Sequence, residues 1–151
     1  MHNKNLRIHR IGIKKIQCNS FTIGNDSPLF LIAGPCLVED ISLCKEIAKE
    51  AKRICNKYGL NYIFKASFDK ANKTIPNSYR GPGWEKGLEQ LKQIKKEIQT
   101  PIITDIHERE QCDAVAEVAD IIQIPALLSK QIDLILDSAK TGRIINIKKG
   151  Q

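Results

Sequence analysis

The stretch "KASFDKAN", residues 65–72, sets two lysines, a serine, an aspartate and an asparagine directly behind the apolar run "NYIF". Four further apolar runs end in reactive or anion-binding side chains. "PLFLIAGPC" closes on Cys36, "PIITDIHE" on Asp105 and His107, "DIIQIPA" carries Gln123, and "RIINIKKG" closes on Lys148 and Lys149. Several lysines with one aspartate and one histidine suit a substrate bearing two anionic groups, with general acid or base help and one metal. Nothing resembles a serine triad.

Each residue has a plainer use when taken singly. A lysine at a strand end snorkels to solvent, an aspartate pairs with a neighbouring lysine, and a lone histidine is commonly a hydrogen-bonded structural group. Cys36, after Gly-Pro at a turn, is either packing or a soft ligand for zinc or iron. "RGPGWEKG" is either a turn into a helix or a set of backbone N–H groups facing a phosphate. Five coincidences at the same end of five strands weigh towards one shared mouth, since parallel α/β proteins gather function at the carboxyl ends of their strands. Asp105 precedes His107 by two residues, shares its strand face and is placed to support it.

The elements that must position these groups alternate along the chain. Residues 11–24 predict an N-terminal hairpin with its turn near Asn19-Ser20. "PLFLIAGPC" predicts a strand buried on both faces, followed by a helix capped by Asp40 that runs to about Tyr58 and stops at Gly59. Three more strand–helix units follow, with helices over "WEKGLEQLKQIKKEI", "REQCDAVAEVA" and about Lys130 to Lys140, and "RIINIKKGQ" is a fifth strand. Cys44 and Cys55 share a helix face with Ile47, Ala48, Ala51 and Ile54 and read as small core residues. Alternating βα units argue for a parallel sheet, doubly wound or closed into a (β/α)8 barrel. The absence of G-x-G-x-x-G after the first strand counts against a dinucleotide fold.

Composition narrows the class. The 151 residues are 42% hydrophobic and 27% charged, enough for one core and one domain. No run approaches a membrane span, and the start "MHNKNLRIHR" lacks the apolar middle of a secretory signal; its isoleucine alternation reads as a folded edge, and a cytoplasmic protein is expected. The net charge of +7 is spread along helix faces without a basic block, and aromatics are only 5%, which disfavours nucleic acid and leaves a phosphate-bearing substrate as the sharper use of positive charge. Five cysteines with no C-x-x-C pair suggest a reducing compartment and neither a disulfide framework nor a zinc knuckle.

The motifs "LFLIAGPC", "YIFKASFDKAN", "SYRGPG", "ITDIHE", "IIQIPALL" and "AKTGRIINIKKGQ" closely resemble, in order and at similar spacing, the 3-deoxy-D-manno-octulosonate 8-phosphate synthases. The match runs from about Leu29 onward. The resemblance implies a homotetrameric (β/α)8 barrel that condenses phosphoenolpyruvate with arabinose 5-phosphate in making the lipopolysaccharide inner-core sugar. Residues 1–28 then form an N-terminal hairpin or extension, and residues 29–151 the first part of the barrel, about five strands and four helices. The heptulosonate phosphate synthases share barrel and reaction type but carry Lys-Pro-Arg-Thr where this chain has Lys70-Ala71-Asn72-Lys73.

By the same resemblance, Lys65, Ser67, Lys70, Gln123 and Lys148 form the phosphoenolpyruvate-binding set. Asn72 and Asp105 contact the arabinose portion, and His107 stands near the reacting carbons. Cys36 matches the position that marks the metal-dependent class and implies a divalent metal of the zinc, iron or manganese kind; no organic cofactor is implied. Lys73 stands where the family has arginine for the sugar phosphate, and Thr74 keeps a hydroxyl in an otherwise altered loop. A barrel takes about 250 residues, so this chain is expected to be inactive alone and either to aggregate or to need a complementary fragment. Two other readings stay open at this point: the heptulosonate activity, and a non-catalytic remnant acting only in assembly.

Overall fold

The computed structural model describes residues 15–71, 75 and 77–150; the basic start of the chain and Asn72, Lys73 and Thr74 lie outside the described residues. Strands β1 (Ile16–Cys18) and β2 (Phe21–Ile23) pair antiparallel across the Asn19-Ser20 turn, where Asn19 takes a positive φ of 48°. Asparagine tolerates that region because its short amide bonds locally. Then follow β3 (Phe30–Ala33), α1 (Ile41–Lys57), β4 (Asn61–Lys65), α2 (Trp84–Ile98), β5 (Ile102–Asp105), α3 (Gln111–Val118), β6 (Ile121–Ile124), α4 (Ile132–Lys140) and β7 (Ile144–Ile147). The five later strands form one wholly parallel sheet in chain order, curled as a half-barrel with its helices outside. The alternation read from the sequence is therefore a barrel-type sheet without a strand-order switch.

Local chemistry sets the boundaries. Asp40 Oδ1 accepts hydrogen bonds from the backbone N–H of Ser42 at 2.7 Å and Leu43 at 3.2 Å, satisfying two orphan donors of α1. Gly59, at φ 66°, lets the chain leave that helix in the left-handed region. α4 begins two residues later than the sequence suggests, because Ala126–Leu128 wind as a separate 3-10 turn after Pro125.

Two layers of packing follow from strand parity. Residues facing the helices, including Tyr62, Phe64, Ile102, Ile122 and Ile124, form the larger core with α1, α2, α3 and α4. The opposite face carries Ile63, Ile103 and Ile121, on which Cys18, Phe21 and Ile23 of the hairpin sit. Each such isoleucine, removed from water, contributes about 1.5–3 kcal/mol. The hairpin thus plugs the amino end of the sheet's inner face.

Two expectations fail. β3 is not buried on both faces: Leu31 and Ile32 are 39% and 40% exposed, because β4 is its only sheet neighbour among the described residues. On α1, Cys44, Ala48 and Cys55 are buried as read, but Ile54 is 41% exposed beside that face. Sequence periodicity gave the helix a wider apolar stripe than the sheet covers. No helix among the described residues is long and apolar enough to cross a membrane.

Candidate active site

The inner face changes character along each strand. The inward residues run Ile63 and Lys65 on β4 with Ser67 just beyond it, Ile103 and Asp105 on β5 with His107 in the turn beyond it, Ile121 and Gln123 on β6, and Ile144 and Asn146 on β7 with Lys148 just beyond it. Parallel pairing sets Asp105 opposite Gln123 and Gln123 opposite Asn146. Ser67, two residues beyond the Lys65–Ile103 pair, comes level with Asp105. A polar layer is therefore stacked directly on an apolar one.

Asp105, 8% exposed, is the hub of that layer. Its Oδ2 accepts from Ser67 Oγ at 2.6 Å and Lys65 Nζ at 3.3 Å, and its Oδ1 accepts from Gln123 Nε2. Ser67 Oγ itself accepts from Lys65 Nζ at 2.6 Å and Lys70 Nζ at 3.0 Å. Asn146 Nδ2 donates to Gln123 Oε1 at 2.8 Å, fixing which end of that amide faces the carboxylate. Burial pushes the Lys65 ammonium below the usual lysine value and Lys70 adds to this, while Asp105 pulls the other way without prevailing. Burial pushes the Asp105 carboxyl upward, but the Lys65 charge and the bonds from Ser67 and Gln123 outweigh it, leaving it below the usual aspartate value. Asp105 is thus held as a carboxylate beside a lysine that is a stronger acid than a free one.

Above this layer lies a cavity of about 350 Å³, into which Lys65, Lys70, Asp105, His107 and Lys148 project. Six sequence candidates are thereby gathered: these five, with Ser67 tying two of the lysines to Asp105. Gln123 sits beneath, 7% exposed, and does not line the cavity. Asn72, Lys73 and Thr74 lie outside the described residues. Gly34 lets β3 pass against Lys65, since a Cβ there would collide with the Lys65 carbonyl.

Cys36 is exposed at the β3 end, its carbonyl accepting from the Ser67 N–H at 3.4 Å. It is one thiol. Among the described residues no three of His, Cys, Asp and Glu come together to hold a metal ion, so these residues alone do not make a metal site. The backbone N–H groups of "RGPGWEKG" do not line the cavity.

His107 departs from the sequence reading in its partner. Both oxygens of Asp105 are occupied by Lys65, Ser67 and Gln123, and the carboxylate facing the imidazole is that of Asp69, whose Oδ2 lies 4.0 Å from Nδ1. β5 ends at Asp105, so His107 belongs to the turn that follows, where Gln111 Oε1 accepts its backbone N–H at 2.8 Å. Sequence reading also passed over Asn146 as a strand residue. The signal available was an amide inside an apolar strand, two residues before Lys148 and so on its face.

Residues 9–151 match the family described as the DAHP synthetase I family. The chain belongs to the DAHP synthetase I family. A 2-dehydro-3-deoxyphosphooctonate aldolase of Fusobacterium nucleatum is 50% identical over 139 residues, covering 92% of this chain and 50% of the relative. The protein of the same name from Desulfotalea psychrophila is 52% identical over 129 residues, covering 85% and 46%. That of Geotalea daltonii is 48% identical over 139 residues, covering 92% and 51%. The chain spans about half the length of the curated relatives it matches. All three relatives carry the same phosphooctonate name.

Proposed function

We propose that this chain carries part of the active site for condensing phosphoenolpyruvate with arabinose 5-phosphate into 3-deoxy-D-manno-octulosonate 8-phosphate and inorganic phosphate. The observation that carries the reading is the convergence of Lys65, Lys70 and Lys148 on one cavity floored by the Asp105 network. Two phosphorylated substrates repel each other, and fixed ammonium groups hold them together with charge-assisted hydrogen bonds. Ser67 keeps Lys65 and Lys70 aimed at the same volume. Asp105 balances part of their charge, so the mouth holds anions without an uncompensated buried cation.

In this reading the enol carbon of phosphoenolpyruvate attacks the aldehyde carbon of the pentose, water adds to the resulting cationic centre, and phosphate departs with carbon–oxygen cleavage. The lysines stabilise charge on the two phosphates and the carboxylate throughout. His107, at the cavity wall, is placed to exchange a proton with the attacking water or the aldehyde oxygen. Gln123 acts from below, through Asp105. Asn72, Lys73 and Thr74 are proposed for the pentose phosphate from the resemblance alone.

Cys36 is proposed as one protein donor to a divalent metal, whose chemistry would be to orient water or polarise a carbonyl. A cytoplasmic location is proposed on the free state of all five cysteines, and a homotetramer on resemblance alone. The test is phosphate release from phosphoenolpyruvate, with the chain alone and mixed with a polypeptide supplying the other half of a relative. Release is expected to require arabinose 5-phosphate and to fail with erythrose 4-phosphate; pentose-independent release, or none in the mixture, contradicts the reading. Zinc retained by that mixture through gel filtration should fall with Cys36→Asn, and unchanged retention removes Cys36 from the site.

A further inference from the structure

Beyond the groups lining the cavity, one buried atom lacks a partner at its edge. His107 Nδ1 is enclosed and makes no hydrogen bond among the described residues. The ring around it is nevertheless held on several sides. Phe68 packs edge-on, with ring centroids 6.3 Å apart at 89°, and Gln111 fixes the backbone N–H. Asp69 Oδ2 stands 4.0 Å from Nδ1, about 1 Å beyond hydrogen-bond length. Asp69 is itself immobilised: Arg80 Nε donates to Oδ1 at 2.9 Å and Arg80 Nη2 to Oδ2 at 2.5 Å. The backbone repeats this clasp, since the Lys70 N–H donates to the Arg80 carbonyl at 2.8 Å. Gly81, at φ 131°, is needed beside it, because a Cβ there would strike the Phe68 carbonyl and the Leu37 side chain.

We infer that Asp69, clamped by Arg80, is the positioning residue that fixes His107 as the Nδ1–H tautomer and leaves Nε2 a bare proton acceptor towards the cavity. The alternative carboxylates do not fill this role. Asp105 already takes three donors, from Lys65, Ser67 and Gln123, and makes no ion pair with the ring, while Glu108 adjoins the ring in sequence but is exposed. A bidentate arginine leaves a carboxylate oxygen with a further lone pair, so Asp69 Oδ2 keeps one directed charge for the imidazole beside its bond from Arg80. At 4.0 Å the carboxylate charge already favours a proton on the ring nitrogen that faces it. A second-sphere carboxylate on the far nitrogen is the usual device for setting a histidine's tautomer.

The charged groups facing the ring are Asp69 and Arg80 from the loop after β4, and Asp105 and Glu108 from its own strand and turn. Burial holds the imidazole below its usual value and Arg80 adds to that, against the pull of Asp69 and Asp105. The neutral ring is therefore the resting form. The inference rests on the cavity being a catalytic mouth, but its test needs no turnover, so the two can fail separately.

Nitrogen-15 spectra of the imidazoles, followed against pH in the full chain, report tautomer and midpoint for each of the three histidines. His107→Gln assigns the signal. Neutral His107 is expected as Nδ1–H; the Nε2–H form in the unaltered chain overturns the inference without any further variant. Asp69→Ala should mix the tautomers and lower the midpoint, and Asp69→Glu should restore the Nδ1–H form. Arg80→Gln should raise the midpoint, because a positive charge leaves. A pure Nδ1–H ring persisting in Asp69→Ala, with the backbone amide spectrum intact, also overturns it.

Discussion

The two ends of the inner sheet face are built from the same strands and do opposite things. At the amino end Ile63, Ile103 and Ile121 meet Cys18 of the hairpin in a dry apolar plug. Two residues further along, Lys65, Asp105, Gln123 and Asn146 form a hydrogen-bonded polar layer beneath an open cavity. The switch needs no change of backbone, only of side chain at constant parity. Stability is concentrated in the plug and chemistry in the layer, which is the division of labour expected of barrel-type sheets.

A matched pair of substitutions tries to break that division. Ile103→Asp puts an unpaired carboxylate into the plug and is expected to cost about 4 kcal/mol in urea unfolding, near the upper end for single changes. Lys70→Met keeps the volume and leaves Asp105 its bonds from Lys65, Ser67 and Gln123, so stability should move by less than about 1 kcal/mol. Phosphoenolpyruvate binding by calorimetry should then weaken about 10- to 100-fold, the loss expected for one charged hydrogen-bond partner. Equal destabilisation at both ends, or unaltered binding in Lys70→Met, would dissolve the distinction.

A smaller effect sharpens it through pH. Asp105 has a carboxyl below its usual value, so its ionised form favours the fold. That contribution is complete above the ordinary aspartate pKa of the unfolded chain and disappears as pH falls through the lower folded value. Unfolding midpoints should decline on acidification below about pH 4, and Asp105→Asn should make the decline shallower. Surface carboxylates supply the remainder, among them Glu97, pushed down to about 2 by hydrogen bonds from Lys45 and Lys49. A slope unchanged by Asp105→Asn would mean that the buried layer contributes nothing to acid stability.

Much of this was legible in the residues. Apolar runs closed by polar chemistry marked both the strands and the end at which they converge, and Asp40 and Gly59 marked the limits of α1. What stayed hidden was pairing across strands. Parity puts Asn146 on the site face, but only the β6–β7 register sets it opposite Gln123. Proximity in sequence suggested Asp105 for His107, whereas the loop after β4 folds back to bring Asp69 there, held by an arginine eleven positions on. Exposure of β3 was hidden for a different reason: apolar composition shows what a strand can bury, while its neighbours decide what it does bury.

The most direct measurement is a phosphoenolpyruvate titration followed by backbone amide shifts across the assigned sheet. The largest changes should fall at Lys65, Ser67, Asp105 and Lys148, with Ile63, Ile103, Ile121 and Cys18 nearly still. Shifts centred on the hairpin-covered end, or none at saturating ligand, would contradict the placement of anion binding in the polar layer.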